Sequence, residues 1–151
     1  MNLTHDEILA LLPQKAPFRF LDKILEIDSE GIKASYEFRP EEYFYEGHFK
    51  GNPITPGVIL LEACAQAGLV AYGLYLASHE MSQEELAKVL TVFTDANIEF
   101  MGIVRPGDQI LIAAKKLFFR RMKLRVEVEC TLSNGKSVLR GTLGGMAVKN
   151  L

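Results

Sequence analysis

The feature that most constrains the fold of this chain is one long apolar segment, VILLEACAQAGLVAYGLYLA, at positions 58–77. Only two of its side chains, Glu62 and Gln66, are strongly polar. Such a segment is long enough to cross a bilayer, but a carboxylate near the middle of a span costs about 2.5 to 3.5 kcal/mol on insertion scales. A single span would also leave the alternating remainder of the chain without an apolar partner. The sequence therefore predicts no membrane span and one helix buried on nearly all sides.

Alternating apolar and polar residues in the rest of the chain are typical of half-buried β-strands. In RMKLRVEVECTL at 121–132, every second residue from Met122 to Cys130 is apolar. Similar patterns, with turn signals such as SNGK between them, predict further strands at 18–27, 31–38 and 137–148, and the stretch 105–119 opens with a Pro-Gly turn and continues as a strand. More extended chain is predicted after the polar stretch at 78–88. Ahead of the strands, Thr4 and Glu7 form a capping-box pattern for a short helix that Pro13 ends.

These elements predict a fold, because an antiparallel sheet must bury its apolar face and the long helix is apolar enough to be wrapped by it. The predicted fold class is α+β, with a curved antiparallel sheet of about six strands around one central helix. The chain has 151 residues and no low-complexity linker, so we expect one domain covering residues 1–151.

Charge and cysteine content exclude several functional classes. A net charge of −2 with 24% charged residues provides no basic excess for nucleic acid or anionic lipid. Cys64 and Cys130 have no CxxC or Cys/His ligand spacing, so the sequence predicts buried thiols and neither a disulfide nor a metal site. Free thiols suit a reducing compartment, and the N-terminus lacks a secretory pattern, which favours the cytoplasm.

A rigid loop is predicted immediately before the long helix, in GHFKGNPITPGV at 47–58. Glycines allow close backbone approach on both sides of His48, and the two prolines, Pro53 and Pro56, remove alternative loop conformations. The helix then begins near Gly57, where the first backbone N–H groups have no intrahelical partner and the helix dipole is positive. Such an end can stabilise a carbonyl oxygen that becomes negative during a reaction.

An acid and a base accompany this oxyanion donor in the same stretch of sequence. Glu62 is surrounded by apolar residues, which favours its protonated form, and Gln66 at i+4 can orient its carboxyl group. His48 supplies a neutral imidazole, the usual side-chain base near neutral pH. A lone loop histidine is more often structural, whereas an unpaired glutamate in an apolar helix is costly and harder to explain without a function. His5 and His79 are read as solvated positions.

The residues GHFKGNPITPGVILLEACAQ resemble the signature GHF-x-G-x-P-x-x-PGV-x-x-LEA-x-AQ of the FabZ-type 3-hydroxyacyl-[acyl-carrier-protein] dehydratases. LLP and PFRFLDKILEI near the start, and VRPGDQ before the later strands, extend the resemblance over most of the chain. It implies the hotdog fold, a homodimer that can assemble into a hexamer, and dehydration of 3-hydroxyacyl chains on acyl carrier protein in fatty acid biosynthesis. Glutamate at position 62 matches FabZ-type rather than FabA-type enzymes, which carry aspartate.

The same resemblance implies roles for individual residues and no metal or organic cofactor. His48 and Glu62 would be the catalytic pair, contributed by opposite subunits, and Gly57 would donate its N–H to the thioester carbonyl. The remaining oxyanion and substrate-binding residues would be Phe49, Gln66 and Val58. The aromatic residues at 43–45, with Phe49, would line an acyl tunnel or simply form part of the core.

The chain departs from the family pattern at Gln14, Lys15 and Ala16, and at Met101 and Gly102, where basic residues are common. These departures concern the carrier-docking surface, and they leave open a dehydratase of a specialised polyene or polyketide pathway. A hotdog thioesterase and a non-catalytic acyl-binding module would bind the same kind of thioester and are also left open. One further group would either meet an acidic carrier protein or form a solvated face: Lys115, Lys116, Arg120, Arg121, Lys123 and Arg125.

Overall fold

Six antiparallel strands curve around one long helix in the computed structural model, which describes residues 2–149. The strands lie in the spatial order β1-β2-β4-β5-β6-β3. This is the α+β, wrapped-helix architecture that the sequence predicts. The elements are α1 (His5–Leu11), β1 (Lys23–Ile27), β2 (Gly31–Glu37), α2 (Gly57–Ala77), α3 (Gln83–Leu86), β3 (Val89–Phe100), β4 (Gln109–Arg120), β5 (Lys123–Leu132) and β6 (Ser137–Lys149).

The central helix α2 is long and apolar enough to cross a membrane, yet 72% of its most apolar window is buried inside the protein. Small residues on α2 let the sheet approach closely. A Cβ added at Gly68 would lie 3.1 Å from the Ala114 Cβ and 3.2 Å from the Val126 side chain. The helix is therefore the core around which the sheet packs, and from Gln66 to Ala71 it is π-helical.

The N-terminal segment confirms the predicted capping box, because Thr4 accepts from the Glu7 N–H and Glu7 accepts from the Thr4 N–H. The first strand is shorter than predicted, since it begins at Lys23 rather than at residue 18. The reason is that Phe18 and Phe20 use backbone groups to bind a side chain of α2 instead of a neighbouring strand.

One helix was missed by the sequence analysis. In the polar stretch after α2, Ser82 and Glu85 form a second capping box and start the short helix α3. Its buried Leu86 belongs to the core. Leu86 is the single apolar residue in this four-residue helix, which is a weak periodic signal, and for that reason the helix escaped prediction.

Tight turns connect the strands. Asp28 accepts from the N–H groups of Glu30 and Gly31 at the β1–β2 turn. The β4–β5 hairpin turns through Arg121 and Met122, which have φ of 53° and 62°, so both central residues adopt the left-handed conformation. The predicted turn at residues 133–136 is confirmed between β5 and β6.

We expect Gly141→Ala to destabilise the sheet strongly. Gly141 on β6 has φ of +149°, and an added Cβ would lie 2.0 Å from the carbonyl oxygen of Asn97 on β3. The free energy of unfolding, measured by urea denaturation at one protein concentration, should fall by about 3 kcal/mol or more. Gly135→Ala is the matched control, because Gly135 also has positive φ (+87°) but no atom within 4 Å of its added Cβ. It should cost about 1 kcal/mol, the conformational penalty alone. Equal losses in the two variants would contradict the steric argument.

Candidate active site

The loop that carries His48 lies between a 3₁₀ turn (Tyr43–Tyr45) and α2, and it is fixed by hydrogen bonds. The backbone groups of Phe49 and Asn52 bond to each other in both directions, at 3.0 and 2.8 Å. At its far end, Thr55 donates its N–H to the Val104 carbonyl at 2.9 Å, and its hydroxyl lies 2.6 Å from the Tyr45 hydroxyl. The loop is therefore held on both sides of the histidine.

The hydrogen bonds of His48 determine which ring nitrogen is available. Nδ1 lies 2.8 Å from the Ile54 carbonyl oxygen, and the Ile54 N–H donates back to the His48 carbonyl at 3.0 Å. A carbonyl oxygen can only accept, so Nδ1 carries the hydrogen. In the neutral ring, Nε2 then has the free lone pair. The ring also stacks on Phe49, with centroids 4.0 Å apart, which limits its rotation.

The N-terminus of α2 presents uncapped backbone donors. Pro56 is the N-cap residue, and no side chain in the described part of the chain caps this end. The Pro56 carbonyl accepts from Ile59 and Leu60, which leaves the N–H groups of Gly57 and Val58 without an intrahelical partner. The ring of Phe100 covers Gly57, since an added Cβ would lie 3.1 Å from its Cε1 atom. Val58 is 69% exposed, so apolar surface borders the free N–H groups.

Glu62 lies about a turn and a half into α2 and is partly buried. Burial raises the pKa of its carboxyl group, and a hydrogen bond from Gln66 acts in the opposite direction. This bond, from Gln66 Nε2 to Glu62 Oε1 at 3.1 Å, is the contact that the i, i+4 spacing predicts. Because desolvation is the larger effect, the carboxyl group holds its proton to a higher pH than an exposed glutamate does.

The predicted site residues have separate partners within one chain. His48 contacts Ile54 and Phe49, Glu62 contacts Gln66, and no hydrogen bond joins His48 to Glu62 among residues 2–149. The aromatic run next to the loop divides, because Phe44 and Tyr45 pack in or against the core whereas Tyr43 is 52% exposed. Phe49 is 50% exposed beside the histidine.

Two parts of the site were missed by sequence reasoning. Phe100 lies against Gly57 although 43 positions separate them, and Phe18 and Phe20 reach Gln66 across 48 and 46 positions. No local pattern signals such contacts. Only the closure of the sheet around α2 brings them together.

A groove of about 970 Å³ lies elsewhere, on the outer face of the sheet. Its lining contains none of the predicted site residues and is rich in charges such as Glu26, Lys33, Glu127 and Arg140. A charged lining does not suit an acyl chain, so the geometry around His48 and Glu62 is the better guide to function.

Two further observations concern ligands and thiols. Within residues 2–149, no group of three or more His, Cys, Asp and Glu side chains could hold a metal ion. Cys64 on α2 and Cys130 on β5 are fully buried free thiols that hydrogen-bond to each other, which confirms the predicted buried thiols. The hydrogen bond with Cys130, and after it burial, raises the pKa of Cys64 well above its usual value, so the thiol stays protonated.

Solved structures with the same fold include a dehydratase and a thioesterase. One chain of the dehydratase heterocomplex ApeI:P from Xenorhabdus doucetiae matches with a TM-score of 0.78 and 14% identity, covering 94% of this chain and 91% of that chain. A hypothetical thioesterase with coenzyme A from Streptococcus pneumoniae TIGR4 matches with a TM-score of 0.58 and 14% identity, covering 84% and 85%. At these identities the likeness shows the shared hotdog fold alone.

Sequence comparison is more specific. A family model for the FabA-like domain matches residues 12–141. The 3-hydroxyacyl-[acyl-carrier-protein] dehydratase FabZ of Lactococcus lactis subsp. cremoris (strain SK11) is 33% identical over 144 residues, covering 95% of this chain and 94% of its own. The FabZ of Acetivibrio thermocellus is 39% identical over 135 residues, covering 86% and 85%. This chain therefore belongs to the FabA-like family, among its FabZ-type 3-hydroxyacyl-[acyl-carrier-protein] dehydratases.

Proposed function

We propose that this protein is a hydro-lyase that converts 3-hydroxyacyl chains on acyl carrier protein into trans-2-enoyl chains, in cytoplasmic fatty acid biosynthesis. The observation that carries the proposal is the chemical difference between His48 and Glu62. The histidine presents a free Nε2 lone pair, whereas burial raises the pKa of the Glu62 carboxyl group and so favours its protonated form. An elimination next to a carbonyl requires one group of each kind.

The mechanism follows from a base at His48 and a protonated acid at Glu62. His48 Nε2 removes a proton from C2 of the thioester, and the electron pair moves toward the carbonyl to give an enolate-like species. The Gly57 N–H at the start of α2 stabilises the negative oxygen. Glu62 transfers its proton to the C3 hydroxyl, which leaves as water while the C2–C3 double bond forms. His48 has then gained one proton and Glu62 has lost one, so proton exchange with solvent restores the starting state of both.

The alternative of a thioesterase is not favoured by any feature of the site. Hydrolysis requires a positioned water, whereas the pair described here serves removal of a C2 proton and departure of a hydroxyl group. The departure at Gly102 also has a packing explanation, because an added Cβ would lie 3.0 Å from the Val138 side chain. A missing basic residue there is thus no argument for a specialised pathway.

A homodimer, able to assemble further into a hexamer, is the proposed working unit. The sheet ends on one side at β3, a twelve-residue edge strand. Exposed apolar side chains lie along this edge, including Val92, Phe93 and Phe100. A long apolar edge favours pairing with a second copy across a two-fold axis. Such pairing would bring His48 of one chain toward Glu62 of its partner, which fits their separate partners within one chain.

The basic tip of the β4–β5 hairpin is the proposed docking surface for the acidic carrier protein. A groove of about 560 Å³ is lined by the basic residues Arg120, Arg121 and Lys123 together with Phe118 and Met146. Exposed charge around apolar side chains suits a partner that presents carboxylates beside apolar residues. Arg125 is excluded from this surface, since it pairs with Asp95 at 2.5 Å.

Replacing either catalytic group should abolish most dehydration. In His48→Ala and Glu62→Gln, we expect kcat to fall by roughly a hundred- to ten-thousand-fold, because each change removes one proton-transfer step. Mass spectrometry of purified protein incubated with 3-hydroxyacyl carrier proteins separates loss of water from hydrolysis and from simple binding. Near-wild-type turnover in either variant, in protein free of wild-type contamination, would rule out the assignment.

Mixing the two inactive variants tests the shared site. After subunit exchange, half of the dimers should contain one chain of each kind, and each such dimer should hold one intact His48–Glu62 pair. We expect recovery of about a quarter of wild-type activity. No recovery after exchange has been verified by native mass spectrometry would indicate that each site is built within one chain.

Charge reversal at the hairpin tip should impair only carrier-bound substrate. For Arg120→Glu combined with Arg121→Glu, we expect kcat/KM with the acyl carrier protein to fall about tenfold or more at low ionic strength. Turnover of a small thioester that lacks the carrier should not change. Lys136→Glu, at the turn at the opposite end of β5, is the matched control and should behave as wild type. The proposed docking surface would be contradicted if Lys136→Glu lowered kcat/KM with the carrier as much as the double variant does. It would also be contradicted if the double variant lost as much activity with the small thioester.

A further inference from the structure

The amide of Gln66 is the most completely bonded polar group near the site. Its side chain is fully buried, with 0% exposure. Oε1 accepts from the Phe20 N–H at 2.7 Å, and Nε2 donates to the Phe18 carbonyl at 2.8 Å and to Glu62 at 3.1 Å. We infer that the backbone of residues 18–20 is a positioning element for the catalytic acid. This backbone holds the Gln66 amide in one orientation, and the amide in turn orients the Glu62 carboxyl group. The inference rests on the proposed function of Glu62.

The partners of the amide allow only one orientation. A backbone N–H can only donate, so the amide atom that faces Phe20 must be the oxygen. The NH₂ group then faces the Phe18 carbonyl and Glu62, both of which accept. Rotating the amide by half a turn would place two donors together at Phe20 and two acceptors together at Phe18. Each buried mismatch of this kind costs about 1 to 3 kcal/mol, so the reversed orientation is not populated.

The segment that holds Gln66 is itself anchored in the core. Phe20 has 0% exposure and packs edge-on against Tyr36, with ring centroids 5.7 Å apart. Between the two phenylalanines, Arg19 donates to the Leu9 carbonyl of α1. On the other side, α2 changes from α-helical to π-helical geometry at Gln66. Such π segments occur often at functional sites, and here the change coincides with the residue that joins helix and segment.

The orientation of the amide determines where the acid carries its proton. Glu62 Oε1 receives the Gln66 hydrogen, so in the protonated carboxyl group the proton lies on Oε2. That leaves Oε2 as the atom that can donate to a substrate hydroxyl. Without the amide, the carboxyl group can rotate and either oxygen can hold the proton, which lowers the fraction that is correctly oriented.

The sign of the pH effect follows from the same bond. The amide donates to the carboxylate form, which lowers the pKa of Glu62 against the larger, raising effect of burial. Removing the donor therefore raises that pKa further. Glu62 acts in its protonated form, so activity is present below its pKa and is lost as pH rises through it. The basic limb of the kcat/KM profile should move to higher pH when Gln66 loses its amide.

The test compares the pH profiles of Gln66→Met and of the control Tyr72→Phe. Tyr72 lies on the same helix, and its buried hydroxyl has no hydrogen-bond partner in the described chain. For Gln66→Met we expect kcat to fall about tenfold or more, with little change in KM, and the basic limb to rise by about one pH unit. Tyr72→Phe should leave kcat and the basic limb unchanged. A folded Gln66→Met protein whose basic limb stays in place would overturn the inference.

A second measurement on the unmutated protein decides the matter if Gln66→Met does not fold. The ¹⁵N resonance of the Gln66 side-chain amide should shift with pH as Glu62 ionises, and the shift should vanish in Glu62→Gln. An amide resonance that does not respond to pH would overturn the inference. Failure of the proposed function would look different. In that case the Glu62→Gln variant would remain active, while in the unmutated protein the Gln66 resonance would still report the ionisation of Glu62.

Discussion

Enclosure of the central helix is the constraint on which the rest of the structure depends. The helix has no continuous polar face, so water must be excluded around most of its length, and only a strongly curved sheet can do this with six strands. Close approach is possible because small residues such as Gly68 meet Ala114 and Val126. The same curvature leaves the helix N-terminus at an open end, where the loop with His48 and the covering ring of Phe100 assemble beside Gly57.

The two proposed catalytic groups are prepared by different physical means. Glu62 is modified by its surroundings, since partial removal from water raises its pKa. For His48, one backbone carbonyl selects the tautomer, and the stacked Phe49 ring limits its rotation. If both groups lie beside one substrate as proposed, a desolvated acid and an oriented base can act there without first forming an ion pair with each other, which would neutralise both.

Most of the fold follows from the sequence because its signals are periodic and local. Alternation identifies the later strands, and the apolar run identifies α2. Recognition of GHFKGNPITPGVILLEACAQ located the loop and the helix start together. What the sequence did not reveal depends on contacts between distant positions. The aromatic residues at 18–20 have strand-like propensity, but the Gln66 amide competes for their backbone groups and keeps them out of the sheet. The contact between the Phe100 ring and Gly57 likewise forms only when the sheet closes around α2.

The conformation of the β4–β5 hairpin has a consequence for engineering. Arg121 and Met122 both adopt positive φ, a geometry that Asn-Gly would adopt more easily, and each non-glycine residue there costs about 1 kcal/mol. Substituting Asn-Gly at these two positions would stabilise the monomer while deleting a guanidinium group from the groove. If the groove is the carrier-docking surface proposed above, stability and partner recognition are opposed at this turn, and a thermostabilised variant chosen by melting temperature alone would bind the acidic carrier less tightly.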